Sequence, residues 1–319
     1  MASPIIEIMA LSKSYVLKQG KLFQARPVLR AVNNVSLSIE HGETFGIIGE
    51  SGCGKSTLAR TLVNLHSPDT GAIRLDGKPV ASMSPAERNR AIQYVFQDPV
   101  GSLNPRRTIR QTLETPLRAL GSLGPIETTN RLIEIMQAVN MPVATLDRYP
   151  HEFSGGQAQR IGIARALLAG SRILVLDEPV SALDVSVQAQ ILELLTRIKK
   201  QFNLTLIFIS HDLAVVESFC DRIAVMYCGS IVEVGIASKL FGQAKHPYTN
   251  LLAKTAPRPG TEIHIEDEGE LPDPLNLPTG CAFAARCPNA QDICYSTNPK
   301  PSFEKADLHV ACHFPLNQR

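Results

Sequence analysis

The sequence lacks any apolar run close to the roughly 20 residues that a membrane-spanning helix requires. Its longest apolar stretches, residues 173–176 and 204–209, have the length of strands. The first residues also lack a basic segment followed by an apolar one, so no secretory signal is predicted. We therefore expect a protein that is made and kept in the cytoplasm.

An excess of charge of either sign is absent as well. The chain has 32 Lys and Arg against 30 Asp and Glu, a net charge of +2, and the basic residues are scattered. The low net charge and the scattered basic residues therefore give no indication of a broad basic face of the kind that binds nucleic acid. The length of 319 residues and the hydrophobic content of 44% are sufficient for one substantial domain and a smaller appendage.

Short apolar runs alternate with helical patterns along the chain. Strands are predicted at 44–48, 91–96, 173–176 and 206–209, and apolar residues at helical spacing occur in 132–139 and 191–198. This alternation predicts an α/β fold with a mostly parallel, buried sheet. From Pro257 onward, prolines and acidic residues predict an extended linker. We place a domain boundary near residue 255, which separates 1–255 from a linker and a cysteine-rich extension at 256–319.

Residues 49–56 match the phosphate-binding pattern GxxxxGK[ST] in full, between a predicted strand and a predicted helix. Glycines let successive backbone N–H groups face phosphate oxygens, and the helix N-terminus adds its positive dipole end. Lys55 supplies a charge for the β- and γ-phosphates of ATP, and the Ser56 hydroxyl is a candidate ligand of Mg²⁺. The predicted nucleotide-binding residues of this P-loop are Gly49, Ser51, Gly52, Cys53, Gly54, Lys55, Ser56 and Thr57.

Two carboxylates, Asp177 and Glu178, directly follow the apolar run 173–176. A carboxylate at the end of such a strand is placed to hold magnesium beside a P-loop. Glu178 is then the candidate general base that polarises the attacking water. The two acids alone are also compatible with a solvated strand cap.

The segment 153–157 reads Phe-Ser-Gly-Gly-Gln and lies between the P-loop and the acidic pair. Here the sequence resembles the ABC ATPases, whose signature is LSGGQ, with Phe153 in place of Leu. The resemblance implies a P-loop NTPase (RecA-like) core, an antiparallel β subdomain and an inserted helical subdomain at about 100–168. It also implies that Ser154, Gly155, Gly156 and Gln157 meet the γ-phosphate of ATP bound to the opposite subunit.

The remaining ABC motifs occur in the family order. Tyr15 corresponds to the aromatic residue that stacks on adenine, although packing alone would also explain it. Gln97 corresponds to the glutamine that senses magnesium and the membrane subunit. Asp184 lies in the D-loop of the dimer interface. His211 corresponds to the switch histidine, whose neutral imidazole contacts the γ-phosphate.

Longer stretches at 97–106, 179–187 and 246–249 resemble the ATPases of dipeptide and oligopeptide importers, most closely the F-type subunits of dipeptide permeases. The resemblance implies a related partner ATPase, two membrane permeases and an extracytoplasmic solute-binding protein, with this chain at the cytoplasmic face of the inner membrane. Nickel or metallophore uptake is an alternative cargo. A soluble ABC ATPase without a transport role is a more distant alternative, since the chain has one uninterrupted cassette.

Four of the seven cysteines fall near the end of the chain: Cys281, Cys287, Cys294 and Cys312. Their spacing contains none of the close pairs that are typical of structural zinc sites. Irregularly spaced thiolates can instead hold a [4Fe–4S] cluster, and importer ATPases with such a tail carry one. Zinc and four reduced, buried thiols remain alternatives.

Overall fold

The computed structural model describes residues 3–17, 26–121, 123–255, 272–305 and 308–316. The linker predicted from Pro257 onward lies mostly outside these residues. The strands are β1 (Ile6–Val16), β2 (Val28–Ile39), β3 (Thr44–Ile48), β4 (Thr70–Leu75), β5 (Lys78–Pro79), β6 (Ile92–Val95), β7 (Ile173–Asp177), β8 (Thr205–Ile209), β9 (Arg222–Tyr227), β10 (Ser230–Ile236), β11 (Ser302–Lys305) and β12 (Leu308–Val310).

The α-helices are α1 (Lys55–Leu62), α2 (Pro85–Ala91), α3 (Ile109–Leu120), α4 (Pro125–Ala138), α5 (Gly155–Leu168), α6 (Val185–Phe202), α7 (Leu213–Phe219), α8 (Ala237–Leu240), α9 (Pro247–Thr255) and α10 (Asp292–Ser296). Short 3-10 helices occur at Val80–Ser82, Val143–Asp147, Pro150–Glu152 and Ala284–Arg286. None of the described helices is long and apolar enough to cross a membrane.

The chain divides into two compact units. The first comprises the described residues of Met1–Ile39, Phe45–Gly77 and Ser210–Arg319, and the second comprises Glu40–Thr44 and Lys78–Ile209. The residues after 271 therefore belong to the same unit as the P-loop. The predicted boundary near residue 255 and the predicted helical subdomain stay predictions.

The first unit contains an antiparallel β layer and part of a mixed sheet. In the β layer, β1 pairs antiparallel with β2 on one side and with β4 on the other. In the mixed sheet, β3 and β9 are parallel, and β9, β10, β12 and β11 follow one another in antiparallel pairing. Every residue of β3 is buried, as expected for a parallel strand covered on both faces.

The second unit is built on three parallel strands in the order β8, β7, β6. All residues of β7 and β8 are buried, and α3 and α4 pack against α5. The predicted α/β fold with parallel and antiparallel sheets is confirmed. Because β6 and β7 are parallel, the residues that follow them meet at one sheet edge, where Gln97 and Glu178 lie.

Candidate active site

The P-loop joins the end of β3 to the start of α1, as predicted. Gly49 and Gly54 have φ values of 151° and 109°, a region that L-residues with a side chain rarely adopt. A Cβ at Gly54 would lie 1.9 Å from the carbonyl oxygen of Ala31, and one at Gly49 would lie 2.1 Å from that of Met226. The close approach of these two backbone segments of the same chain therefore requires glycine at both positions.

Lys55 is the first residue of α1, and only 5% of its surface is exposed. Its ammonium Nζ donates to the carbonyl oxygens of Gly49 at 2.8 Å and Glu50 at 2.9 Å. The Cys53 sulfur lies 3.8 Å from Nζ, and burial raises the pKa of this thiol. The cation is thus held beside the backbone N–H groups of the loop, where an anionic phosphate is favoured.

The other P-loop residues and Tyr15 also belong to the first unit. Ser56 and Thr57 are half-buried in the first turn of α1. Tyr15 lies on β1, where its ring packs edge-on against His66 at a centroid distance of 5.7 Å. Lys13 Nζ lies 5.7 Å from the same ring centroid. Stacking of Tyr15 on adenine stays a prediction.

In the second unit the structure brings Gln97 and Glu178 together. Gln97 Nε2 donates to Glu178 Oε2 at 3.0 Å. Gln97 follows β6 and Glu178 follows β7, so the parallel register places both at the carboxyl edge of the strands. The motif spacing predicted both residues but not this direct contact.

Glu178 has a backbone that a glutamate rarely adopts, with φ at 46°. A residue with a side chain in this left-handed region costs of order 1–3 kcal/mol, and such strain clusters at functional sites. The conformation is held by the Glu178 N–H, which donates to the Ile209 carbonyl at 3.0 Å. The Ser181 hydroxyl donates to the Glu178 carbonyl at 3.1 Å.

Asp177 is 1% exposed, and its carboxylate accepts a hydrogen bond from the hydroxyl of Tyr94. Tyr94 lies on β6, is 7% exposed and packs its ring against Phe96. Sequence reasoning did not single out Tyr94, because a tyrosine in an apolar strand carries no motif. Its role follows from the pairing of β6 with β7.

The predicted signature residues lie at the start of α5. Ser154 is the N-cap: its hydroxyl accepts from the Gln157 N–H at 3.4 Å, while Gln157 Oε1 accepts from the Ser154 N–H at 3.1 Å. Ser154, Gly155 and Gln157 are exposed and Gly156 is buried. A helix N-terminus leaves N–H groups without intrahelical acceptors, so this exposed turn is suited to an anion.

Asp184 is the exposed N-cap residue of α6, and its side chain makes no cap hydrogen bond. The D-loop before it is closed by Gln188, whose Nε2 donates to the carbonyls of Val180 at 3.0 Å and Leu183 at 3.1 Å. The contribution of Gln188 was not predicted. His211 follows β8 by two residues and is exposed.

The four C-terminal cysteines line one small cavity, together with His246 and Phe283. All four are free cysteines. The Cys281 N–H donates to the Cys294 carbonyl at 2.7 Å. Burial raises the pKa of the Cys281 and Cys287 thiols, and it raises that of Cys312 to about 11.

No three His, Cys, Asp or Glu side chains in the described part of the chain form a group that could hold a metal ion. The predicted [4Fe–4S] cluster is therefore not supported by a preformed ligand group, and neither is zinc. The structure does show that all four C-terminal cysteines line the same cavity.

Two family models match the chain. The model described as "ABC transporter" matches residues 32–181, which include the P-loop, the signature and the acidic pair. The model described as "Oligopeptide/dipeptide transporter, C-terminal region" matches residues 232–294. The second match begins within β10 and includes Cys281, Cys287 and Cys294.

Similar proteins cover nearly the whole chain. A "Putative peptide import ATP-binding protein" of Brucella ovis is 43% identical over 304 residues, 93% of this chain and 94% of that protein. The "Oligopeptide transport ATP-binding protein OppF" of Escherichia coli is 44% identical over 306 residues, 92% of each chain.

Among solved structures, the ATP-binding cassette MJ0796, a dimer in a post-hydrolysis state bound to ADP and phosphate, superposes with a TM-score of 0.63 at 28% identity. The match covers 73% of this chain and 98% of that one. The chain is thus an ATP hydrolase that belongs to the ABC transporter family, in the group whose members carry the oligopeptide/dipeptide transporter C-terminal region.

Proposed function

We propose that this chain is the ATP-hydrolysing subunit of an importer that takes up peptides through separate membrane permeases. The observation that carries the proposal is the match of residues 232–294 to the oligopeptide/dipeptide transporter C-terminal region. The names of the relatives, which describe peptide import and oligopeptide transport, support the same substrate class.

The permeases, a related partner ATPase and an extracytoplasmic solute-binding protein are the partners that this function requires. The chain would then lie at the cytoplasmic face of the inner membrane, held there by the permeases. Purification of the native complex tests this assignment: we expect permeases to co-purify and ATP hydrolysis to rise when peptide and binding protein are added. Stimulation by a nickel–metallophore complex and not by peptide would contradict the peptide assignment.

In the proposed mechanism, the P-loop binds the phosphates of ATP through its backbone N–H groups and Lys55. Ser56 and Asp177 would hold Mg²⁺, which when bound neutralises charge on the β- and γ-phosphates. The signature of the partner ATPase would complete this site, the signature Ser154–Gln157 of this chain would complete the partner's site, and His211 would contact the γ-phosphate. Loss of that phosphate on hydrolysis would release the partner's signature.

Glu178 is the proposed general base. The Gln97 amide donates to the carboxylate oxygen Oε2, which orients the carboxylate that would accept the proton of a water molecule. Proton abstraction of this kind contributes roughly 10²- to 10⁴-fold to a rate.

The substitution Glu178→Gln tests this role, because it keeps the shape of the side chain and removes the basic oxygen. We expect ATP affinity to be retained while steady-state hydrolysis falls by roughly 100-fold or more. Glu193→Gln, at an exposed position on α6, is the matched control and should hydrolyse ATP at the normal rate. A near-normal rate for Glu178→Gln would remove Glu178 from the role of base.

We further propose that Cys281, Cys287, Cys294 and Cys312 hold a [4Fe–4S] cluster. The observation that supports the proposal is the cavity lined by all four cysteines, since four Cys thiolates are the ligand set of such a cluster. When bound, the cluster would cross-link segments that have little core of their own.

The His246 side chain lines the same cavity and is consistent with this proposal. The Tyr248 N–H donates to His246 Nδ1 at 3.0 Å, so the ring proton resides on Nε2. Nε2 is buried and has no hydrogen-bond partner among the described residues. Burial lowers the pKa of His246 to about 3, which keeps the ring neutral. A buried N–H donor without an acceptor is satisfied if an anionic sulfur occupies the cavity.

A further inference from the structure

Glu50, the second residue of the P-loop, forms a partly buried ion pair with Arg286 in the cysteine-rich part of the chain. Arg286 Nη1 donates to both carboxylate oxygens of Glu50 at 3.1 Å, and Nη2 donates to Oε1 at 3.1 Å. The Arg286 side chain is 4% exposed and that of Glu50 is 24% exposed. A bidentate pair with so little solvent access is strong and directional.

Aromatic rings hold the Arg286 guanidinium in place. It lies 5.9 Å from the ring centroid of Tyr227 and 5.7 Å from that of Phe283, and it donates to the Tyr227 hydroxyl at 3.3 Å. Tyr248 packs on both rings, and its own hydroxyl accepts from the Glu50 N–H at 3.0 Å. Glu50 is therefore fixed through its side chain and through its backbone.

The position of Glu50 matters because Lys55 depends on it. The Glu50 carbonyl accepts from Lys55 Nζ at 2.9 Å and from the Cys53 N–H at 3.3 Å. Whatever locates Glu50 therefore locates the ammonium group and the turn of the loop. Arg286 pairs with the Glu50 carboxylate and Lys55 donates to the Glu50 carbonyl, so Arg286 would act on Lys55 through Glu50.

At its other end Arg286 is connected to the cysteine-lined cavity. It is the last residue of the 3-10 helix Ala284–Arg286 and directly precedes Cys287. The Ala284 N–H donates to the Cys281 carbonyl at 3.0 Å, and the Cys287 N–H donates to the Ala284 carbonyl at 3.2 Å. Phe283, Ala284 and Cys287 line the cavity. The arrangement of the cysteines thus determines where the guanidinium lies.

We propose that Arg286 is a positioning residue for nucleotide binding, through which the cysteine-lined cavity sets the geometry of the P-loop. The proposal rests on the proposed binding of ATP by this loop. The dissociation constant of the unsubstituted chain for ATP tests that binding separately. An intact cavity keeps Arg286 paired with Glu50, and this pairing in turn keeps Lys55 in its binding position. A disrupted cavity releases Glu50 and weakens the binding of ATP and ADP alike.

The test compares Arg286→Ala, Arg286→Lys and the intact chain, at full length. Dissociation constants for ATP and ADP with Mg²⁺ are measured by calorimetry, together with KM and kcat. Because Arg286→Ala removes the charge-assisted hydrogen bonds that locate Glu50, we expect it to raise both dissociation constants and KM by roughly tenfold, with a much smaller change in kcat. Arg286→Lys, which keeps a cation, should recover part of the affinity.

The matched control is Arg74→Ala, which breaks the exposed ion pair with Glu7 in the same unit and should leave affinity unchanged. A purely structural role predicts a lower melting temperature for Arg286→Ala with unaltered dissociation constants, and that result would overturn the proposal. If Arg286→Ala does not fold, Arg286→Lys and Glu50→Gln decide: intermediate affinities for both uphold the proposal, and normal affinities refute it.

Coupling to the cavity is tested by Cys287→Ser, with Cys220→Ser, a buried cysteine outside the cavity, as control. We expect Cys287→Ser to weaken nucleotide binding and Cys220→Ser not to do so. The double variant Cys287→Ser/Arg286→Ala should bind no more weakly than Arg286→Ala alone, because both changes release the same contact. Strictly additive losses, or normal affinity in Cys287→Ser, would show that the cavity does not act through Arg286.

Discussion

At the scale of single residues, the side chains that carry the chemistry are held by partners that no motif contains. Tyr94 donates a hydrogen bond to Asp177, Gln188 closes the D-loop, and Arg286 forms an ion pair with Glu50. Along the sequence, these partners are 83, 8 and 236 residues away from Asp177, Val180 and Glu50, the residues that they contact. Motif spacing predicts reactive residues because their order is local, whereas supporting contacts across a sheet have no local pattern.

Tyr94→Phe tests the contribution of one such partner. The substitution removes the hydroxyl that donates to Asp177 and keeps the ring that packs on Phe96. Because a hydrogen bond to a buried carboxylate helps orient it, we expect the Mg²⁺ concentration for half-maximal hydrolysis to rise roughly fivefold, equivalent to about 1 kcal/mol.

A magnesium titration of the ATPase rate is the measurement for this prediction. Tyr149→Phe, at a tyrosine that is 41% exposed, should behave as the intact chain does. An unshifted titration in Tyr94→Phe would show that the hydroxyl does not support the metal site.

At the scale of elements, the helix that begins with the signature also holds the segment after Gln97. Arg165 on α5 donates through Nη1 to the Ser102 carbonyl at 2.8 Å and through Nη2 to the Ser102 hydroxyl at 3.4 Å. Its guanidinium lies 5.8 Å from the ring centroid of Phe96. Burial lowers the pKa of Arg165. A single side chain therefore bridges the start and end of the loop that contains Gln97.

Arg165→Ala should loosen this loop while leaving the P-loop unchanged. Loss of a buried, charged donor worth about 2 kcal/mol corresponds to roughly 30-fold faster hydrogen exchange in residues 97–103. Exchange monitored by mass spectrometry measures this directly. Arg160→Ala, which removes a donor to the Val139 carbonyl from the same helix, should not accelerate exchange in that loop.

The interiors of the elements were predictable from the sequence, but several of their pairings were not. The apolar runs at 44–48, 173–176 and 206–209 became β3, β7 and β8 because buried parallel strands are apolar throughout. The glycine-rich turn and the capped start of α5 followed from local chemistry in the same way. In contrast, the hairpin of β11 and β12 was not predicted, since its pairing with β10 joins residues such as Glu233 and Val310 that are far apart in the chain.

At the scale of the whole molecule, the residues after 271 are part of the unit that contains the P-loop. The Ala311 N–H donates to the Val232 carbonyl at 2.8 Å, and the Leu316 N–H donates to the Lys245 carbonyl at 2.7 Å. The composition change near residue 255 predicted a separate extension. Composition reports the chemistry of a segment but not which surface it packs against.

The proposed cluster is tested at this scale, because a cross-link among four segments changes the stability of the molecule. After anaerobic purification we expect about four iron atoms per chain and the absorbance of a [4Fe–4S] cluster. Removal of the iron by a chelator should lower the melting temperature by several degrees. Cys312→Ser should lower the iron content, whereas Cys220→Ser should not. A folded protein with iron-free cysteines, or with zinc in place of iron, would refute the assignment.

The ion pair between Glu50 and Arg286 also has a consequence for the order of synthesis. The two residues are 236 positions apart, so a ribosome that has already released the phosphate-binding turn must add most of the remaining chain before the guanidinium emerges. If Arg286 positions the P-loop as proposed, a nascent chain acquires full nucleotide affinity only after Arg286 has left the ribosome.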